Sequence, residues 1–264
     1  MNESDVPQYH NLAARQQRIL ELLQRDGHVR VPELSRQLEV SEITIRRDLT
    51  YLEHKNFLER THGGAISSRR IIREINYSNR SDLELENKDA IGKKAAQLIE
   101  EGDTVFINGG STTFHVFRYI AQNSVKIVTT NAGAIGQVHN EGVDLIIAGG
   151  LYRPQYNTFG GNFTNEIINQ VNASKAILGV HGISFRHGLT TPRQDAAETT
   201  KLMINRTRGE IIVVADHRKI GLVSDFVTSP VNRITTLITD RFLDDNYRRD
   251  FEELGIKVIL TCEE

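Results

Sequence analysis

The sequence has a single cysteine, Cys262, among its 264 residues, and its nine histidines show none of the cysteine or carboxylate spacings that metal sites use. One cysteine cannot form an intramolecular disulfide or a thiolate metal cluster, which is typical of a protein in a reducing compartment. We therefore expect a cytoplasmic protein that has no metal site and no cofactor.

Long hydrophobic runs are also missing. No stretch approaches the roughly 18 to 20 apolar residues that a membrane span needs, and residues 1–16 lack the apolar centre of a signal peptide. We expect a chain that is neither exported nor attached to a membrane. With 39% hydrophobic and 25% charged residues, it can bury a core and is expected to form two units.

The chain carries little net charge, because 32 Lys and Arg residues oppose 34 Asp and Glu residues, for a formal total of -2. A general attraction to nucleic acid is therefore not expected, and any basic surface must be local. Between His10 and Arg70, however, eleven basic residues outnumber eight acidic ones. The positive excess thus lies at the N-terminal end of the chain.

Apolar residues recur at helical spacing in three short segments near the N-terminus. Asp26 and Gly27 end the first predicted helix, Pro32 begins the second, and Ser41 caps the third. The apolar positions are Leu12, Ile19, Leu22 and Leu23, then Leu34 and Leu38, then Ile45, Leu49 and Leu52. Residues 57–61 and 65–67 flank a His-Gly-Gly turn and predict a hairpin. Three helices and a hairpin indicate a winged helix-turn-helix.

The third predicted helix has the chemistry of a DNA-reading helix. Its free N-terminal amides can bond phosphate, and two adjacent arginines diverge by about 100°, so that one can reach a guanine edge while the other holds a phosphate. Which arginine does which stays open. The candidate DNA-binding residues on this helix and on the hairpin are Ser41, Thr44, Arg46, Arg47, Tyr51, Arg60 and His62.

Asp48 is an exception on this helix, because DNA repels an acid. We expect it to form an ion pair or a cap that orients a neighbouring arginine. An arginine pair on a small helix is by itself most often a solvated face, but the order of helices and hairpin favours DNA. The polar segment 67–87 has little periodic apolar content and predicts a linker between a DNA-binding domain at residues 1–66 and a second domain at residues 88–264.

The second domain alternates short β-branched runs with helical segments. Near-continuous hydrophobic runs are typical of strands that are covered on both faces, so a parallel, doubly wound sheet is predicted. The strands are expected at residues 104–107, 125–128, 143–147, 176–180, 211–214, 236–238 and 258–260, and the helices at 87–100, 112–121, 196–206 and 245–254.

Ligands of such sheets bind beyond the carboxyl ends of the strands. Of five polar loops expected there, residues 108–113 (NGGSTT) are the most informative, because two glycines let the backbone approach a ligand and the following hydroxyls open a helix. The loop lacks the lysine and glycine spacings of a P-loop or a dinucleotide fingerprint. Such a loop alone is most often only a turn and cap, but five polar loops at one edge favour a small anionic ligand.

A family resemblance follows from these motifs. Residues 41–49 (SEITIRRDL), with Arg15 and Ile19 upstream and residues 61–65 (THGGA) downstream, resemble the signature of the DeoR family of bacterial transcriptional regulators. The resemblance implies a winged helix-turn-helix that binds operator DNA, in most members as a repressor of sugar or nucleoside catabolism.

The second domain is similar to the DeoR-type sensor domain, whose fold is related to ribose 5-phosphate isomerases and sugar-phosphate deaminases. The expected fold class is therefore α/β, with an N-terminal winged helix-turn-helix followed by a mostly parallel α/β sensor domain. The resemblance implies that Gly110, Ser111, Thr112 and Thr113 hold the phosphate, and that Asn131, Gly150, Arg153, Glu198 and Lys219 lie near the sugar.

Two positions depart from the family pattern. Asn108 stands where the family's loop usually begins with aspartate, and His181 stands before Gly182 where aspartate is frequent. Asparagine both donates and accepts, so a different pattern of ligand hydroxyls is expected. We include both residues among the ligand-binding candidates, although His181 can equally be structural.

Our main hypothesis is a regulator whose operator binding is modulated by a phosphorylated sugar and which acts on double-stranded DNA as a homo-oligomer, either dimer or tetramer. One alternative is a sugar-phosphate isomerase or deaminase fused to a DNA-binding domain, for which Asp195, Glu198, Asp216 and His217 are the candidate acids and bases. Another is an architectural DNA binder that needs no ligand.

Overall fold

The computed structural model describes residues 12–26, 28–55, 57–60, 63–67 and 84–261. The chain divides into two compact units, Met1–Arg69 and Arg70–Glu264. In the described part of the chain, none of the helices has the length and apolar character that a bilayer span requires.

The first unit contains the three predicted helices and the predicted hairpin. Its elements are α1 (Ala14–Asp26), β1 (His28–Arg30), α2 (Val31–Gln37), α3 (Glu42–His54), β2 (Leu58–Arg60) and β3 (Gly64–Ser67). The hairpin strands β2 and β3 are antiparallel, and β1 pairs with the other side of β3. Strand β1 was not predicted, since three residues with one apolar side chain carry too little pattern.

The helices of this unit pack around one core, as their periodicity predicts. Ile19, Ile45, Leu49 and Leu52 are fully buried, while Leu12 and Leu38 pack at its margin. Every apolar position of α3 that was assigned to the buried stripe therefore points into the core, and the opposite side of that helix is left to solvent. The winged helix-turn-helix is confirmed.

The second unit is built on a parallel sheet with the order β15-β14-β12-β9-β4-β5-β6. Its strands are β4 (Thr104–Ile107), β5 (Val125–Thr129), β6 (Val143–Ile147), β9 (Ala173–Gly179), β12 (Thr207–Val214), β14 (Thr236–Asp240) and β15 (Lys257–Thr261). Phe106 belongs to one buried cluster, whereas Val105 and Ile107 belong to another. Both faces of the sheet are thus covered, which accounts for the continuous hydrophobic runs.

The helices of the second unit are α4 (Leu85–Ala96), α5 (Ser111–Phe114), α6 (Asn162–Asn169), α7 (Gln194–Arg206) and α8 (Asp245–Glu253). The helix predicted at 112–121 is wrong in extent. It is a single turn, α5, followed by a 3-10 turn at Phe117–Tyr119. The Thr113 hydroxyl hydrogen-bonds to the carbonyl oxygens of Asn108 and Gly110, and a β-branched side chain that bonds nearby backbone opposes helix extension. Helix α4 begins at Leu85, inside the segment predicted as linker.

Short antiparallel strands complete the unit and were not predicted. Strands β7 (Leu151–Arg153) and β8 (Thr158–Gly160) form a hairpin, which we call the flap. Strands β10 (Gly182–Ser184), β11 (Gly188–Thr191) and β13 (Phe226–Ser229) form a small second sheet. Because these short strands are antiparallel, the domain is mostly and not wholly parallel, in agreement with the expected fold class.

Candidate functional site

The N-terminus of α3 is capped as the sequence predicts. The Ser41 Oγ atom accepts a hydrogen bond from the backbone N–H of Thr44 at 3.3 Å and lies 2.9 Å from the Thr44 Oγ1 atom. Ser41 is exposed and Thr44 half-buried. The cap Ser41 and the candidate Thr44 therefore lie in one turn at the start of α3, next to the free amides that were predicted to bond phosphate.

Three further candidates, Arg46, Arg47 and Tyr51, are exposed on α3. The Arg46 Nη2 atom lies 3.2 Å from Glu42 Oε2. Both side chains of this pair are about half exposed, so the interaction positions Arg46 more than it stabilises the helix. The Lys55 ammonium lies 5.8 Å from the centre of the Tyr51 ring.

Asp48 forms the predicted ion pair, but its partner is on another helix. Its buried carboxylate accepts hydrogen bonds from Arg15 Nε at 2.5 Å and from Gln16 Nε2 at 3.1 Å. The hydrogen bond to Asp48 raises the pKa of the Arg15 guanidinium. The pair joins α1 to α3 and keeps the acid away from the exposed face of α3. This accounts for the presence of Arg15 and Asp48 in the same sequence signature.

Arg60 was predicted to reach DNA from the hairpin, but its guanidinium is engaged within the unit. Its Nε atom donates to the Gly64 carbonyl, and its Nη1 atom donates to the Arg46 carbonyl and to Thr50 Oγ1, all at 3.1 Å. Burial lowers the pKa of this guanidinium. Arg60 thus fastens the hairpin to α3. His62, the other hairpin candidate, lies outside the described residues.

The second unit has a polar pocket at β4, the strand from which the order of the sheet runs outward in both directions. Strand β4 has β5 on one side and β9 on the other, and the pocket opens beyond the carboxyl ends of these strands, where such folds bind ligands. The described residues that line it are Asn108, Gly109, Thr130, Tyr156, Thr158, Phe159, Gly160, Gly179, Val180, His181, Thr190, Thr191, Arg193, Ala196, Thr199, Thr200 and Thr228.

Asn108 lines the pocket, and its side chain joins β4 to β9. Its Oδ1 atom accepts from the Gly179 N–H at 2.9 Å, and its Nδ2 atom donates to the Gly179 carbonyl at 2.9 Å and to Thr200 Oγ1 at 3.3 Å. An ionised aspartate could accept from the Gly179 N–H and from the Thr200 hydroxyl, but it could not donate to the Gly179 carbonyl. The backbone of Gly179 thus accounts for an amide at this position. Asn108 was expected to meet ligand hydroxyls, and its observed bonds to Gly179 are an alternative reason for its presence.

The glycine loop beside Asn108 is packed closely. A Cβ atom on Gly109 would lie 2.3 Å from Thr158 Oγ1, so only glycine fits against the flap. Asn108 and Gly109 line the pocket, whereas Gly110, Ser111, Thr112 and Thr113 are not among the described lining residues. Ser111, Thr112 and Thr113 are buried, and the Thr113 hydroxyl bonds within the loop.

Asn131 supports this loop and does not line the pocket. Its Nδ2 atom donates to the Gly110 carbonyl at 3.2 Å, and its Oδ1 atom accepts from the Gly133 N–H at 3.0 Å. The preceding residue, Thr130, does line the pocket, and its Oγ1 atom accepts from the Gly109 N–H at 2.9 Å.

An ion cluster lies at the flap. The Asp195 Oδ2 atom accepts from Arg153 Nε at 3.0 Å and also from Arg193 Nη2. Burial acts to raise the pKa of the Asp195 carboxyl, but the bonds from the two arginines outweigh it and hold the pKa below its usual value. The Arg193 guanidinium also lies over the Tyr156 ring, 4.2 Å from its centre. Two guanidinium groups share one carboxylate, so these three side chains together carry a formal charge of +1.

Arg193 and Tyr156 line the pocket but were not predicted. An arginine next to a helix start and a tyrosine in a polar segment look like surface residues in sequence. The turn of the flap places Tyr156 at the pocket, and the start of α7 places Arg193 there. The predicted Arg153 reaches the same cluster through Asp195.

His181 lines the pocket, as predicted. Its Nδ1 atom lies 3.1 Å from Thr191 Oγ1, and its backbone N–H donates to the Thr190 carbonyl. A ligand role and a structural role are both compatible with these contacts.

Gly150, Glu198 and Lys219 do not line the pocket among the described residues. Glu198 is exposed and accepts a hydrogen bond from Gln194, because Ala196, Thr199 and Thr200 occupy the pocket side of α7. A Cβ atom on Gly150 would lie 2.5 Å from Thr164 Oγ1, which accounts for a glycine there without a ligand.

A winged helix-turn-helix joined in one chain to an α/β unit with a polar pocket defines the class of DNA-binding regulators that carry a sensor domain. Comparison with known families is specific. Residues 15–70 match the DeoR-like helix-turn-helix domain, and residues 83–241 match the DeoR C terminal sensor domain. The chain belongs to the DeoR family of transcriptional regulators.

Curated relatives align along nearly the whole chain. It is 32% identical to the HTH-type transcriptional regulator GlpR of Haloferax volcanii, covering 94% of this chain and 97% of the relative. It is 29% identical to the HTH-type transcriptional repressor GlcR of Bacillus subtilis, covering 92% and 94%. It is 31% identical to the lactose phosphotransferase system repressor of Streptococcus mutans, covering 89% and 94%. These relatives are named regulators and repressors, not enzymes.

Two solved structures of ribose 5-phosphate isomerase A are also similar. The protein from Methanocaldococcus jannaschii has a TM-score of 0.37 and 15% identity, covering 52% of this chain and 54% of that chain. The protein from Neisseria gonorrhoeae has a TM-score of 0.38 and 14% identity, covering 56% of each. The chain spans about half the length of the isomerases it matches.

Proposed function

We propose that this protein represses a carbohydrate catabolism operon, and that a phosphorylated sugar bound in the pocket of the second unit changes its affinity for the operator. Two relatives are named repressors, and one of these names refers to the lactose phosphotransferase system, which supports a role in carbohydrate control. The regulator is proposed to act in the cytoplasm.

The residues that line the pocket support the proposed ligand class, a phosphorylated sugar. Seven threonines line it, and their hydroxyls can both donate to and accept from the hydroxyls of a sugar. The formal charge of +1 on the Arg153, Asp195 and Arg193 cluster, and the guanidinium of Arg193 at the pocket wall, favour an anion such as phosphate. We place the phosphate between Arg193 and the loop at residues 108–113. The described lining residues include no carboxylate, which the proton transfer of an isomerase or deaminase needs.

The pocket also suggests how the ligand acts. Its volume is about 50 Å³, whereas pockets that hold small molecules enclose about 300–1,000 Å³. A sugar phosphate therefore requires the wall to open. We propose that the flap, which carries Tyr156, moves away from Arg193. A ligand that binds only the open form shifts the population toward it, which is what a change in operator affinity requires.

A thermal-shift panel tests the ligand class on the full-length protein, with each sugar phosphate paired with its unphosphorylated sugar. At 100 times its Kd, a ligand that binds only the native state adds about 2.7 kcal/mol, and each kcal/mol raises Tm by roughly 2–4 °C in a domain of this size. We expect one sugar phosphate to raise Tm and its unphosphorylated partner to leave it unchanged. A broad panel without any shift would contradict the sensor function.

We further propose that the protein binds operator DNA as a homo-oligomer, because one small reading helix rarely provides operator affinity and paired half-sites raise it. The segment at residues 67–87, apart from its helical end in α4, is proposed to link the reading domain at 1–66 to the sensor domain. Light scattering coupled to size-exclusion chromatography measures the mass directly. A dimer or a tetramer is expected, and a monomer at micromolar concentration would contradict this part of the proposal.

A further inference from the structure

We infer that Ile43 and Arg47 are the residues of α3 that read base edges, Ile43 through a thymine methyl group and Arg47 through guanine, while Arg46 contacts phosphate. Ile43 is not among the predicted DNA-binding residues, and the roles of the two arginines were left open. The inference rests on DNA binding by the first unit and does not depend on the identity of the effector.

The first observation is the exposure of Ile43. Its side chain is 65% exposed. Among the described residues of the first unit, the only other large hydrophobic side chain that is exposed is Tyr51, which also lies on α3. The described part of the same unit buries twelve apolar residues in its core, and Ile43 is not one of them. The exposed face of α3 thus carries an apolar side chain, Ile43, that is available for a contact with DNA.

The second observation is the direction of each side chain around the helix. The buried residues of α3 are Ile45, Asp48, Leu49 and Leu52. At about 100° per residue, Ile43 lies about 10° and Arg47 about 30° from the direction opposite the centre of that stripe, whereas Arg46 lies about 70° away. Ile43 and Arg47 are also four residues apart, which places them one turn apart on the same side. They form the outermost ridge of α3, and Arg46 forms its flank.

The third observation is how each arginine is held. Arg46 is paired with Glu42, and its backbone carbonyl accepts from Arg60 on the hairpin side. The Arg47 side chain has no hydrogen-bond or ion-pair partner in the part of the chain that the structure describes. Arg47 can therefore present its full bidentate fork to a base without breaking an existing contact, whereas the Arg46 guanidinium is shared with Glu42.

The chemistry of the major groove matches this ridge. The N-terminal residues of a recognition helix contact base edges, and Ile43 is the second residue of α3. The thymine methyl is the only apolar group on the major-groove edge of the base pairs, and an arginine reads guanine through its O6 and N7 atoms. The ridge is thus expected to read a thymine and a guanine within the same half-site.

The test uses a duplex that the full-length protein enriches from a randomised DNA pool. Each thymine is replaced in turn by uracil, which removes one methyl group and nothing else. We expect at least one replacement to weaken binding of the wild-type protein about fourfold. Ile43→Val should keep this sensitivity, because it keeps a branched methyl surface, and Ile43→Ala should lose it.

Arginine-to-lysine variants test the two arginines, since lysine keeps the charge but lacks the bidentate fork. Arg47→Lys should reduce the preference for one guanine by about five- to 150-fold, with little change on unrelated DNA. Arg46→Lys should leave the preferences unchanged, and Arg46→Ala should weaken all sequences alike and lower the salt dependence. Thermal melts of each variant verify folding.

The assignment is overturned if Arg46→Lys relaxes the preference while Arg47→Lys does not. Uracil replacements that have no effect on the wild-type protein, or the same effect on Ile43→Ala, would contradict the role of Ile43. A protein that enriches no sequence would contradict DNA binding itself, and the assignment with it.

Discussion

The reading helix α3 and the pocket of the second unit were predicted with very different success. On α3, the cap, the buried stripe and the exposed arginines all lie where the periodicity places them. In the pocket, only Asn108 and His181 of the eleven predicted ligand residues line the wall, while Arg193, Tyr156 and all seven lining threonines were not among the predicted residues. The predicted surface of α3 lies on one helix. The pocket, by contrast, is lined by residues from several strands, the flap and α7.

The largest predicted effect concerns the pocket wall. Asn108→Asp would place a carboxylate oxygen 2.9 Å from the Gly179 carbonyl at a buried position. The Gly179 N–H and the Thr200 hydroxyl could still donate to this carboxylate, but no cation among its described contacts compensates the buried charge. We expect a loss of about 3–5 kcal/mol of unfolding free energy, which urea titration at pH 7 measures.

The same variant has a predicted pH dependence. A carboxyl that is buried against a carbonyl has its pKa raised in the folded state, so the neutral form is favoured there. The loss of stability should therefore be smallest below the pKa of the unfolded chain and should grow as pH rises through the higher folded pKa. Asn108→Ala, which adds no charge, should show no such trend. A stable Asn108→Asp protein at pH 7 would mean that Asn108 does not join the strands as described.

The reading unit offers the next largest effect. Arg15→Ala would leave the buried Asp48 carboxylate with Gln16 as its remaining side-chain partner. Because Arg15 is partly exposed and water can replace it in part, we expect a loss of about 2–3 kcal/mol, less than for a fully buried pair. A double-mutant cycle with Asp48→Ala isolates the coupling between the two residues. Independent, additive losses would show that α1 and α3 are held together by packing alone.

A smaller effect is expected on ligand binding. It compares Arg193, which the structure places at the pocket, with Glu198, which was predicted from the sequence. Arg193→Gln should weaken binding of the sugar phosphate that the thermal-shift panel identifies, by about 10- to 100-fold, which corresponds to one charge-assisted hydrogen bond. Glu198→Gln is the matched control, because Glu198 was predicted but lies on the exposed side of α7. Calorimetry measures both affinities. A strong effect of Glu198→Gln together with none of Arg193→Gln would restore the sequence-based site.

The smallest effect is expected on the surface of α3. Glu42→Gln removes the exposed pair with Arg46, and exposed pairs at this spacing contribute only about 0.3–0.5 kcal/mol. The unfolding midpoint in urea should barely change. A loss above about 1 kcal/mol would show that Glu42 has a role in the fold beyond this pair.

These cases show why the sequence predicted the exposed and buried sides of α3 well and the lining of the pocket poorly. The 3.6-residue period of α3 distinguishes inward from outward side chains without any knowledge of the partner. The strands of the large sheet were also predictable, because both of its faces are covered and each strand is therefore a short hydrophobic run, whatever its place in the sheet. The pocket depends on contacts such as Asn108 with Gly179 and Arg193 with Tyr156, which join residues 37 to 71 positions apart. No periodicity encodes such pairings, and the short flap strands that create them carry little pattern.

Family resemblance led to one segment that adjoins the pocket and to one residue that does not line it. It led to the loop at residues 108–113, which does adjoin the pocket through Asn108 and Gly109. It also assigned a ligand role to Glu198, which the packing of Thr199 and Thr200 turns away from the pocket. The departure at Asn108 has a cause within the fold, since an amide satisfies both backbone groups of Gly179.

The central claim is that occupancy of the pocket changes operator binding. The most direct test measures the affinity of the full-length protein for its enriched operator duplex by fluorescence anisotropy, with and without the stabilising sugar phosphate. We predict a change of about 5- to 150-fold for the wild-type protein, in either direction, and a much smaller change for Arg193→Gln at the same ligand concentration. If calorimetry shows saturated ligand binding while the operator affinity of the wild-type protein stays constant, the claim is contradicted.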